Sequence, residues 1–480
     1  MIARRHRQSL VDILGEKGLV EDPDAMAAYE TGARYDRGRA ALVLRPADTS
    51  EVSACVGYCV REAIPFVPQS GNTGLVSGST PDASGRQVVI SLNMMAGIFD
   101  LDIGNRSVRV DAGTRLSDLN ARLEKHGLFF PIDLGADPRI GGMVATNTGG
   151  SRFLRYGDVR RNTLGLKAVL ADEGGSVLDL ISGLRKNNAG VDWKQLFVGT
   201  CGAFGIVTEC VLNLEPLPKQ VATAYLVPRD GDAVTSLLRL MEERLGSYLS
   251  AFEGMSGNAV IAALSHVASL RNPFRNGEVP AYVILAELSR SWPPRTGEQS
   301  LDAVLETALT EIWEMDGSPL ADALVGPPHE MWAVRHALSE GARHAGRLVA
   351  FDLSFRRGDV MAFCDCMKQE LPRRFPDVAI LDFGHIGDGG VHFNLVVDEA
   401  RSGPMAGDFE INLRDWVYSQ AVERFGGSFS AEHGIGRRNQ AYYETYTGQK
   451  SKDLAAGLKR LVSPGPIGAA RFGWSEQQGA

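Results

Sequence analysis

Hydrophobic and polar positions follow two different patterns along the chain, and the change comes near residue 220. Before it, short apolar runs alternate with short helical patterns and many glycine turns. Val88–Leu92 predicts a strand, and the spacing of Leu116, Leu119 and Leu123 predicts a helix that ends at Gly127. This pattern indicates α/β units with short connections.

Longer elements follow the tract Glu215–Pro218. Ala224–Val227 and Ala281–Leu288 predict strands, whereas Val234–Leu245 and Ser300–Met315 predict helices. Such a pattern is typical of an α+β domain with helices on one face of an antiparallel sheet. After residue 408 the pattern becomes helical. The sequence therefore predicts an α+β protein of three parts, at residues 1–220, 221–407 and 408–480.

Composition narrows the class of protein. The chain has 480 residues, 44% of them hydrophobic and 22% charged, and a net charge of −8 that argues against nucleic-acid binding. Six cysteines without a C-x-x-C pair indicate free thiols in a reducing compartment. No run is long and apolar enough for a membrane span. Acidic residues follow Arg4, Arg5 and Arg7 closely, so we expect a surface helix and a cytoplasmic protein.

A glycine-rich segment, PQSGNTGLVSGS over residues 68–79, follows the apolar run Ile64–Val67. Its glycines allow positive φ angles and a close approach of the backbone to a ligand. Successive backbone N–H groups in such a loop form a concave anion site, and the hydroxyl groups can add donors. The segment predicts a pyrophosphate site, with an ordinary surface loop as the alternative.

Two further glycine-rich blocks lie in the same part of the chain. One comprises PIDLG at 131–135 and IGGMVATNTGG at 140–150, whose small residues permit the close approach of a flat ring system. The other, GTCGAFG at 199–205, has the wrong spacing for a nicotinamide-dinucleotide fingerprint and leads into a strand. Three such blocks predict a large, extended nucleotide ligand.

Two histidines flank a turn in the segment GHIGDGGVHFN, residues 384–394. Asp388-Gly389 is a two-residue hairpin signal that places His385 opposite His392. Opposed residues on one face have Cβ atoms about 4.5–5.5 Å apart, close enough for two imidazoles to share a metal ion. Asn394 is predicted on the same face as His392.

A third metal ligand is offered by SAEHGIG, residues 430–436, in which Glu432 stands beside His433. Two histidines and one carboxylate form a catalytic type of site with open positions for a substrate. A lone histidine is usually structural, but this pairing in glycine-flanked motifs favours a metal. The prediction requires the fold to bring His385 and Glu432 together.

Arg335 and Ser339 lie four residues apart in a predicted helix that begins near Pro328, on the face that Trp332 also occupies. An arginine there can hold a substrate carboxylate through two parallel hydrogen bonds. An ordinary ion pair between Arg335 and a glutamate is the alternative.

Together these motifs resemble the flavin-dependent D-2-hydroxy-acid dehydrogenases of the vanillyl-alcohol-oxidase superfamily. The similarity runs in order through PQSGNTGLVSGS, PIDLGA, IGGMVATNTGG, FLRYG, LFVGT, GHIGDGGVHFN and SAEHGIG, and so covers most of the chain. FLRYG together with LRKNNAGVDWKQLF is most similar to the D-2-hydroxyglutarate dehydrogenases of that family. The resemblance implies a two-subdomain FAD-binding domain at 1–220, a substrate-binding cap domain at 221–407 and a C-terminal helical segment at 408–480.

The resemblance also implies an activity, the oxidation of a D-2-hydroxy acid to the 2-oxo acid by hydride transfer to FAD. No histidine lies in residues 69–78, where some members of the superfamily attach flavin, so FAD is expected to be non-covalent. A divalent metal, with zinc favoured, would bind His385, His392 and Glu432. His433 would be the general base, and the substrate would contact Arg335, Ser339 and Asn394. Residues implied to contact FAD are Pro68, Ser70, Gly71, Asn72, Thr73, Gly74, Ser79, Pro131, Gly135, Gly141, Gly142, Ala145, Thr146, Gly149, Gly150, Tyr156, Gly157, Gly205 and Ile206.

The sequence departs from the family in three places. GTCGAFG at 199–205 replaces the usual G-S-E-G-T-L-G, and SPGPIGAA at 463–470 replaces D-P-K-G-I-L-N-P. These two changes concern the surroundings of the flavin. Ala350 stands where D-2-hydroxyglutarate dehydrogenases carry a lysine that can meet a second carboxylate, so this change concerns the choice of substrate.

Three alternatives stay open: an FAD-dependent oxidase or dehydrogenase of a different alcohol, a flavoprotein without turnover, and a metal hydrolase without flavin. The expected partners are a small 2-hydroxy acid and an electron acceptor. An electron-transfer flavoprotein, a quinone or a cytochrome would each suit the second role. The sequence leaves the oligomeric state open, a homodimer included.

Overall fold

The computed structural model describes residues 2–34, 37–274, 277–399 and 407–472, and the chain forms two compact units. Unit 1 comprises Met1–Gly149, Asp158–Pro216 and Glu432–Ala480, and unit 2 comprises Gly150–Gly157 and Leu217–Ala431. Residues 400–406, at the predicted end of the cap domain, and residues 473–480, at the end of the predicted helical segment, lie outside the described residues.

Helices and strands occur along most of the described chain, and after Val397 only helices follow. The helices are α1 Arg4–Leu14, α2 Pro23–Glu30, α3 Thr49–Arg61, α4 Leu116–Glu124, α5 Ile140–Thr146, α6 Phe153–Tyr156, α7 Val159–Asn162, α8 Gly231–Leu245, α9 Gly257–His266, α10 Leu301–Trp313, α11 Pro328–His344, α12 Val360–Arg374, α13 Gly407–Ser419, α14 Gln440–Tyr446 and α15 Gln449–Val462. The strands are β1 Leu19–Val20, β2 Leu42–Leu44, β3 Phe66–Gln69, β4 Val88–Ser91, β5 Phe99–Asp102, β6 Ser107–Asp111, β7 Leu128–Phe129, β8 Thr163–Val169, β9 Val177–Leu180, β10 Ile206–Asn213, β11 Glu215–Pro216, β12 Gln220–Pro228, β13 Leu249–Ser256, β14 Tyr282–Arg290, β15 Leu320–Gly326, β16 Arg347–Ser354, β17 Val378–Gly384 and β18 Gly390–Val397. No helix of the described residues combines the length and the apolar character that crossing a membrane requires.

Unit 1 contains two larger sheets, each with its own hydrophobic core. The first has the order β1-β2-β4-β3, and its last three strands are parallel and almost wholly buried. Such strands read as continuous apolar runs because helices or loops cover both faces. The second sheet is antiparallel, in the order β5-β6-β10-β8-β9, and β7 pairs with β11 beside it. Two sheets in unit 1 agree with the two predicted subdomains.

The last part of the chain packs within unit 1. The Ser463 hydroxyl accepts a hydrogen bond from the Ala171 N–H and donates one to the Phe204 carbonyl oxygen, each at 2.8 Å. The Gly468 N–H donates to the carbonyl oxygen of Phe66, in β3 (2.9 Å). The residues that depart from the family at 463–470 therefore brace the strand that leads into the first glycine-rich loop. Residues 408–480 do not form one segment, because the division into units falls at Glu432.

Unit 2 is built on a seven-stranded antiparallel sheet of order β15-β12-β14-β13-β17-β18-β16. Helices α9 and α11 bury Val260 and Leu338 against one face of it. On the opposite face, Phe363 of α12 stacks edge-on against Phe393 of β18, with ring centroids 5.2 Å apart. The prediction of helices on one face only is wrong, because β13 and β14 are buried at every position and need cover on both sides.

Candidate active site

The first glycine-rich loop leaves β3 and is held in shape by its own side chains. Asn72 has a positive φ of 52°, its amide donates to the Thr31 carbonyl oxygen (2.8 Å), and its amide oxygen accepts from the Ser79 hydroxyl (3.0 Å). The Ser70 hydroxyl donates to the Ala112 carbonyl oxygen (3.1 Å). A Cβ at Gly74 would meet no atom within 4 Å, so space lies beside the backbone there. The side chains of Ser70 and Asn72 thus hold the loop in shape through contacts within the protein.

The second block lies directly against the first. A Cβ at Gly141 would be 2.6 Å from the Ala112 Cβ, so only glycine lets α5 pack on the end of β6. Gly142 faces Ser70, whose Cβ lies 3.5 Å from the position of a Cβ at Gly142. The helix ends at Asn147 in the left-handed region (φ 54°, ψ 54°), before the Gly149-Gly150 pair. Residues separated by 70 positions therefore form one glycine-lined surface.

The third block is attached to the second. The N–H of Cys201 donates to the carbonyl oxygen of Ala145 (2.7 Å), and the Gly199 N–H donates to that of Val144 (3.0 Å). Gly205 leads into β10, where Ile206 is 2% exposed and belongs to the core of the first sheet. A ligand can meet Ile206 only at its backbone. Of the other residues predicted to contact FAD, Pro131 is buried and Gly135 is exposed.

The segment that contains His433 packs on these blocks within unit 1. A Cβ at Gly434 would lie 2.7 Å from the Cys201 sulfur, and one at Gly436 would overlap the Val76 carbonyl oxygen. Burial raises the pKa of the Cys201 thiol, while backbone hydrogen bonds from Ile435 and Gly436 act in the opposite direction. Cys201 thus replaces the family's glutamate with a small neutral group that fits under the 434–436 turn.

The FLRYG residues belong to unit 2 instead of unit 1, together with Gly150, Tyr156 and Gly157 from the predicted FAD contacts. Arg152 makes two hydrogen bonds to Glu287, from Nε to Oε1 (2.7 Å) and from Nη2 to Oε2 (2.8 Å). Arg155 donates to the Ser289 hydroxyl (2.7 Å). In unit 2 this motif is therefore anchored to β14 by Arg155 and by Arg152, the residue that precedes it.

The histidine segment folds as a hairpin with a longer turn than predicted. Phe383, not His385, is the ladder partner of His392, and residues 385–389 form the loop. Gly384 causes the difference, because its φ is 155° and a Cβ there would lie 2.9 Å from the His392 nitrogen. His385 still approaches His392, with ring centroids 5.2 Å apart at an angle of 81°.

A carboxylate stands behind each imidazole. Glu253 Oε1 lies 2.7 Å from His385 Nδ1, and Asp352 Oδ1 lies 3.7 Å from His392 Nδ1. Glu253 is 1% exposed and also accepts from Arg335 Nε (2.8 Å). Burial opposes its ionisation, but His385 and Arg335 outweigh burial and hold the pKa of Glu253 below its ordinary value. The sequence analysis missed Glu253, although one acidic residue within the apolar strand LSAFEGMS is a recognisable signal.

The predicted substrate residues lie in the same unit. Asn394 pairs with Leu381 and Ala350, so it shares a face with His392, and its amide donates to the His392 carbonyl oxygen (3.1 Å). The Arg335 guanidinium lies over the Phe383 ring, 5.2 Å from its centroid. Ser339 is half-buried one turn further along α11, which begins at Pro328 as predicted.

Glu432 and His433 directly follow Ala431, the last residue of unit 2. The N–H of Ala431 donates to the Asp352 carbonyl oxygen (3.1 Å), and Asp352 is the ladder partner of His392. Glu432 therefore directly follows a residue whose backbone N–H is hydrogen-bonded to β16, the strand that pairs with the strand of His392.

Comparison with known proteins gives concordant matches. The chain matches an FAD binding domain over residues 40–180 and the C-terminal domain of FAD linked oxidases over residues 217–467. Mitochondrial D-2-hydroxyglutarate dehydrogenase of Arabidopsis thaliana is 33% identical, over 94% of this chain and 78% of its own length. The enzyme of that name from Rattus norvegicus is 34% identical, over 93% and 80%. A structure of alkyldihydroxyacetonephosphate synthase has a similar fold, with a TM-score of 0.71 at 16% identity over 98% of this chain and 85% of that chain.

The names of both dehydrogenases place them in mitochondria, and the prediction of a cytoplasmic protein is therefore wrong. It rested on free thiols and on acidic residues close to the N-terminal arginines. In the structure, five of the six cysteines are buried, and Arg7 pairs with Glu16 and Glu21. These features serve packing and surface pairing, and neither identifies a compartment.

Proposed function

The chain belongs to the FAD-dependent D-2-hydroxy-acid dehydrogenases of the vanillyl-alcohol-oxidase superfamily, and from that premise we propose how its residues oxidise the substrate. Bound FAD would accept the C2 hydrogen of the substrate as hydride, and His433 would take the hydroxyl proton. His385, His392 and Glu432 would hold a divalent metal, with zinc favoured. The observation that carries this proposal is the pair of imidazoles on unit 2, each with a carboxylate at Nδ1.

The three glycine-rich blocks suit FAD because they are brought together and lined by backbone. Gly74 leaves open space beside the loop backbone, which suits the close approach of a pyrophosphate, whereas Gly71, Gly141 and Gly142 face neighbouring protein atoms and let the blocks pack together. Bound FAD supplies the hydride acceptor. The side chains of Ser70 and Asn72 already pair within the protein, so we propose that residues 70–74 bind the pyrophosphate through their N–H groups.

The donor set suits a catalytic zinc site, which takes neutral imidazole nitrogens and a carboxylate and leaves a position for substrate. His385 Nδ1 is hydrogen-bonded to Glu253, and Asp352 lies 3.7 Å from His392 Nδ1; a hydrogen bond from Nδ1 to a carboxylate is common in metal-binding histidines. A bound divalent metal supplies a Lewis acid that lowers the pKa of a coordinated hydroxyl group. Prolonged treatment with a chelator should therefore abolish turnover but leave the visible flavin absorbance in place.

Three side chains of the protein are proposed to bind the substrate or to take its proton. Arg335 already gives Nε and Nη2 to Glu253, so we propose that its Nη1 side meets the substrate carboxylate. Asn394 lies on the His392 face and can donate to the same substrate. His433 is the proposed base for the hydroxyl proton, because histidine is the side chain that most often serves as a general base near neutral pH.

The proposed function is tested by adding D-2-hydroxyglutarate, D-lactate, D-malate or glycolate to the purified protein without oxygen. We expect one of these acids to bleach the visible flavin absorbance, because its hydride reduces the flavin. An L-2-hydroxy acid is the control and should leave the spectrum unchanged. A yellow protein that none of the four acids bleaches would contradict the proposal.

Ala350 provides a prediction about the substrate. It is half-buried, pairs with Asn394 and stands in place of a lysine, so we propose a substrate without a second carboxylate. Ala350→Lys should raise kcat/KM for D-2-hydroxyglutarate relative to D-lactate by roughly 10- to 100-fold, because a hydrogen bond to a charged group contributes about 1.5–3 kcal/mol. Ala350→Met adds length without charge and should leave the ratio near that of the wild type. An unchanged ratio in Ala350→Lys would show that this position does not face the distal end of the substrate.

A further inference from the structure

Glu253 is a buried glutamate that contacts two of the residues in the proposed function, His385 and Arg335. Its strand, β13, is buried at every position, and the side chain is 1% exposed. The two carboxylate oxygens are divided between two partners, Oε1 with His385 Nδ1 (2.7 Å) and Oε2 with Arg335 Nε and Nη2 (both 2.8 Å). One buried group thus contacts both a proposed metal ligand and the proposed carboxylate-binding residue.

We propose that Glu253 is a positioning residue, which selects the His385 nitrogen offered to the metal and the Arg335 edge offered to the substrate. This inference rests on the proposed function. A carboxylate only accepts hydrogen bonds, so His385 must donate from Nδ1, and its lone pair is then at Nε2. Without Glu253, this hydrogen bond no longer selects the tautomer or fixes the direction of the ring.

The same reasoning applies to Arg335. A guanidinium group is planar and presents its donors in a fixed fork, so holding one edge fixes the direction of the others. Glu253 holds the edge formed by Nε and Nη2, and the Phe383 ring lies under the plane, 5.2 Å from the guanidinium carbon. Arg335 therefore keeps an Nη1 edge of defined direction.

Stability alone gives no strong reason for a glutamate at this position. Removing a carboxylate from water is costly, and the replacement of a buried ion pair by apolar residues is often neutral or stabilising. The position of Glu253, between a histidine and an arginine that approach it from different elements, favours a role in geometry.

Glu287 on the neighbouring strand is a matched control. It is also 1% exposed, and it makes its hydrogen bonds to Arg152, Ser250 and Trp332. Its ladder partner is Ala251, two residues before Glu253. A change of Glu287 to glutamine therefore removes an equally buried charge from the same sheet without touching His385 or Arg335.

The test compares zinc affinity, by competition with a chelator, in flavin-loaded wild type, Glu253→Gln and Glu287→Gln. We expect Glu253→Gln to bind zinc roughly 10- to 100-fold more weakly, the usual effect of losing the partner of a metal-binding histidine, with unchanged flavin content. Its KM for the hydroxy acid should rise as well. Glu287→Gln should keep wild-type affinity, and Glu253→Asp, measured in the same way, should bind more tightly than Glu253→Gln.

Equal zinc affinity in Glu253→Gln and wild type would overturn the positioning role. An equal loss in Glu287→Gln would overturn it too, because any buried charge would then have the same effect. If wild type and His385→Ala bind zinc equally, the metal role in the proposed function fails, which is a different result from either of these. Should Glu253→Gln not fold, the comparison of Glu253→Asp with wild type decides, and equal affinity and KM would overturn the proposal.

Discussion

His385→Ala is expected to lower turnover at least roughly 1,000-fold while the protein stays yellow. Loss of one of two imidazoles should remove the proposed metal, a Lewis acid whose stabilisation of the developing alkoxide would amount to several kcal/mol, and about 4 kcal/mol corresponds to this factor. Flavin should remain because the three glycine-rich blocks, apart from Gly150, belong to unit 1 and His385 belongs to unit 2. The measurement is the rate of reduction of an artificial dye by the best substrate, together with the ratio of flavin absorbance to protein.

His329→Ala is the matched control, since this histidine lies in the same unit with a side chain that is 82% exposed. It should retain wild-type turnover. Two results would count against the role of His385: substantial turnover in His385→Ala, or a colourless protein, which would indicate a structural defect. Zinc content, measured in the same samples, should fall in His385→Ala alone.

The histidine segment shows how far a local pattern can be used for prediction. The pattern correctly placed two imidazoles side by side and Asn394 on the face of His392, because side chains in a strand alternate with period 2. The predicted register was wrong by two residues, since the conformation of Gly384 ends the strand before His385. His385 lies in the loop directly after Gly384, and its ring still approaches that of His392.

The partners of these residues could not be derived from local patterns. Glu253 and His385 are 132 positions apart, and only the order of strands in the sheet brings β13 beside β17. The return of residues 432–472 to unit 1 is equally non-local, because it depends on contacts such as that of Ser463 with Ala171 and Phe204. Local sequence patterns therefore identified candidate site residues such as His385 and His392, but not the residues that hold them in position.

The departures at 199–205 and 463–470 are related in the structure. The Ser463 hydroxyl binds the carbonyl oxygen of Phe204, and the position of a Cβ at Gly468 lies 3.6 Å from the Cα of Ala203. Two segments that differ from the family thus pack on each other within unit 1. Because of this contact, the two changes form a single altered packing arrangement. A packed arrangement of this kind favours a working flavoprotein over one that has lost its cofactor site.

Gly436→Ala is expected to weaken FAD binding at least roughly 100-fold, equivalent to about 2.7 kcal/mol. Gly436 has φ of 51°, a conformation that costs an alanine about 1–2 kcal/mol. The added Cβ would also overlap the carbonyl oxygen of Val76, which accepts a hydrogen bond from the Arg438 N–H (3.2 Å), and such overpacking typically costs about 1–3 kcal/mol. Because Val76 belongs to the first glycine-rich loop, the displacement should reach the proposed pyrophosphate site.

The dissociation constant for FAD, measured by titrating flavin into deflavinated protein, checks this prediction. Gly457→Ala is the control in the same part of the chain, since it lies inside α15 and a Cβ there meets nothing within 4 Å. That change should leave FAD affinity unaltered and stabilise the helix by about 0.5–1 kcal/mol. Wild-type affinity in Gly436→Ala would mean that the 434–436 turn can move away from Val76, and that the packing of this turn does not shape the flavin site.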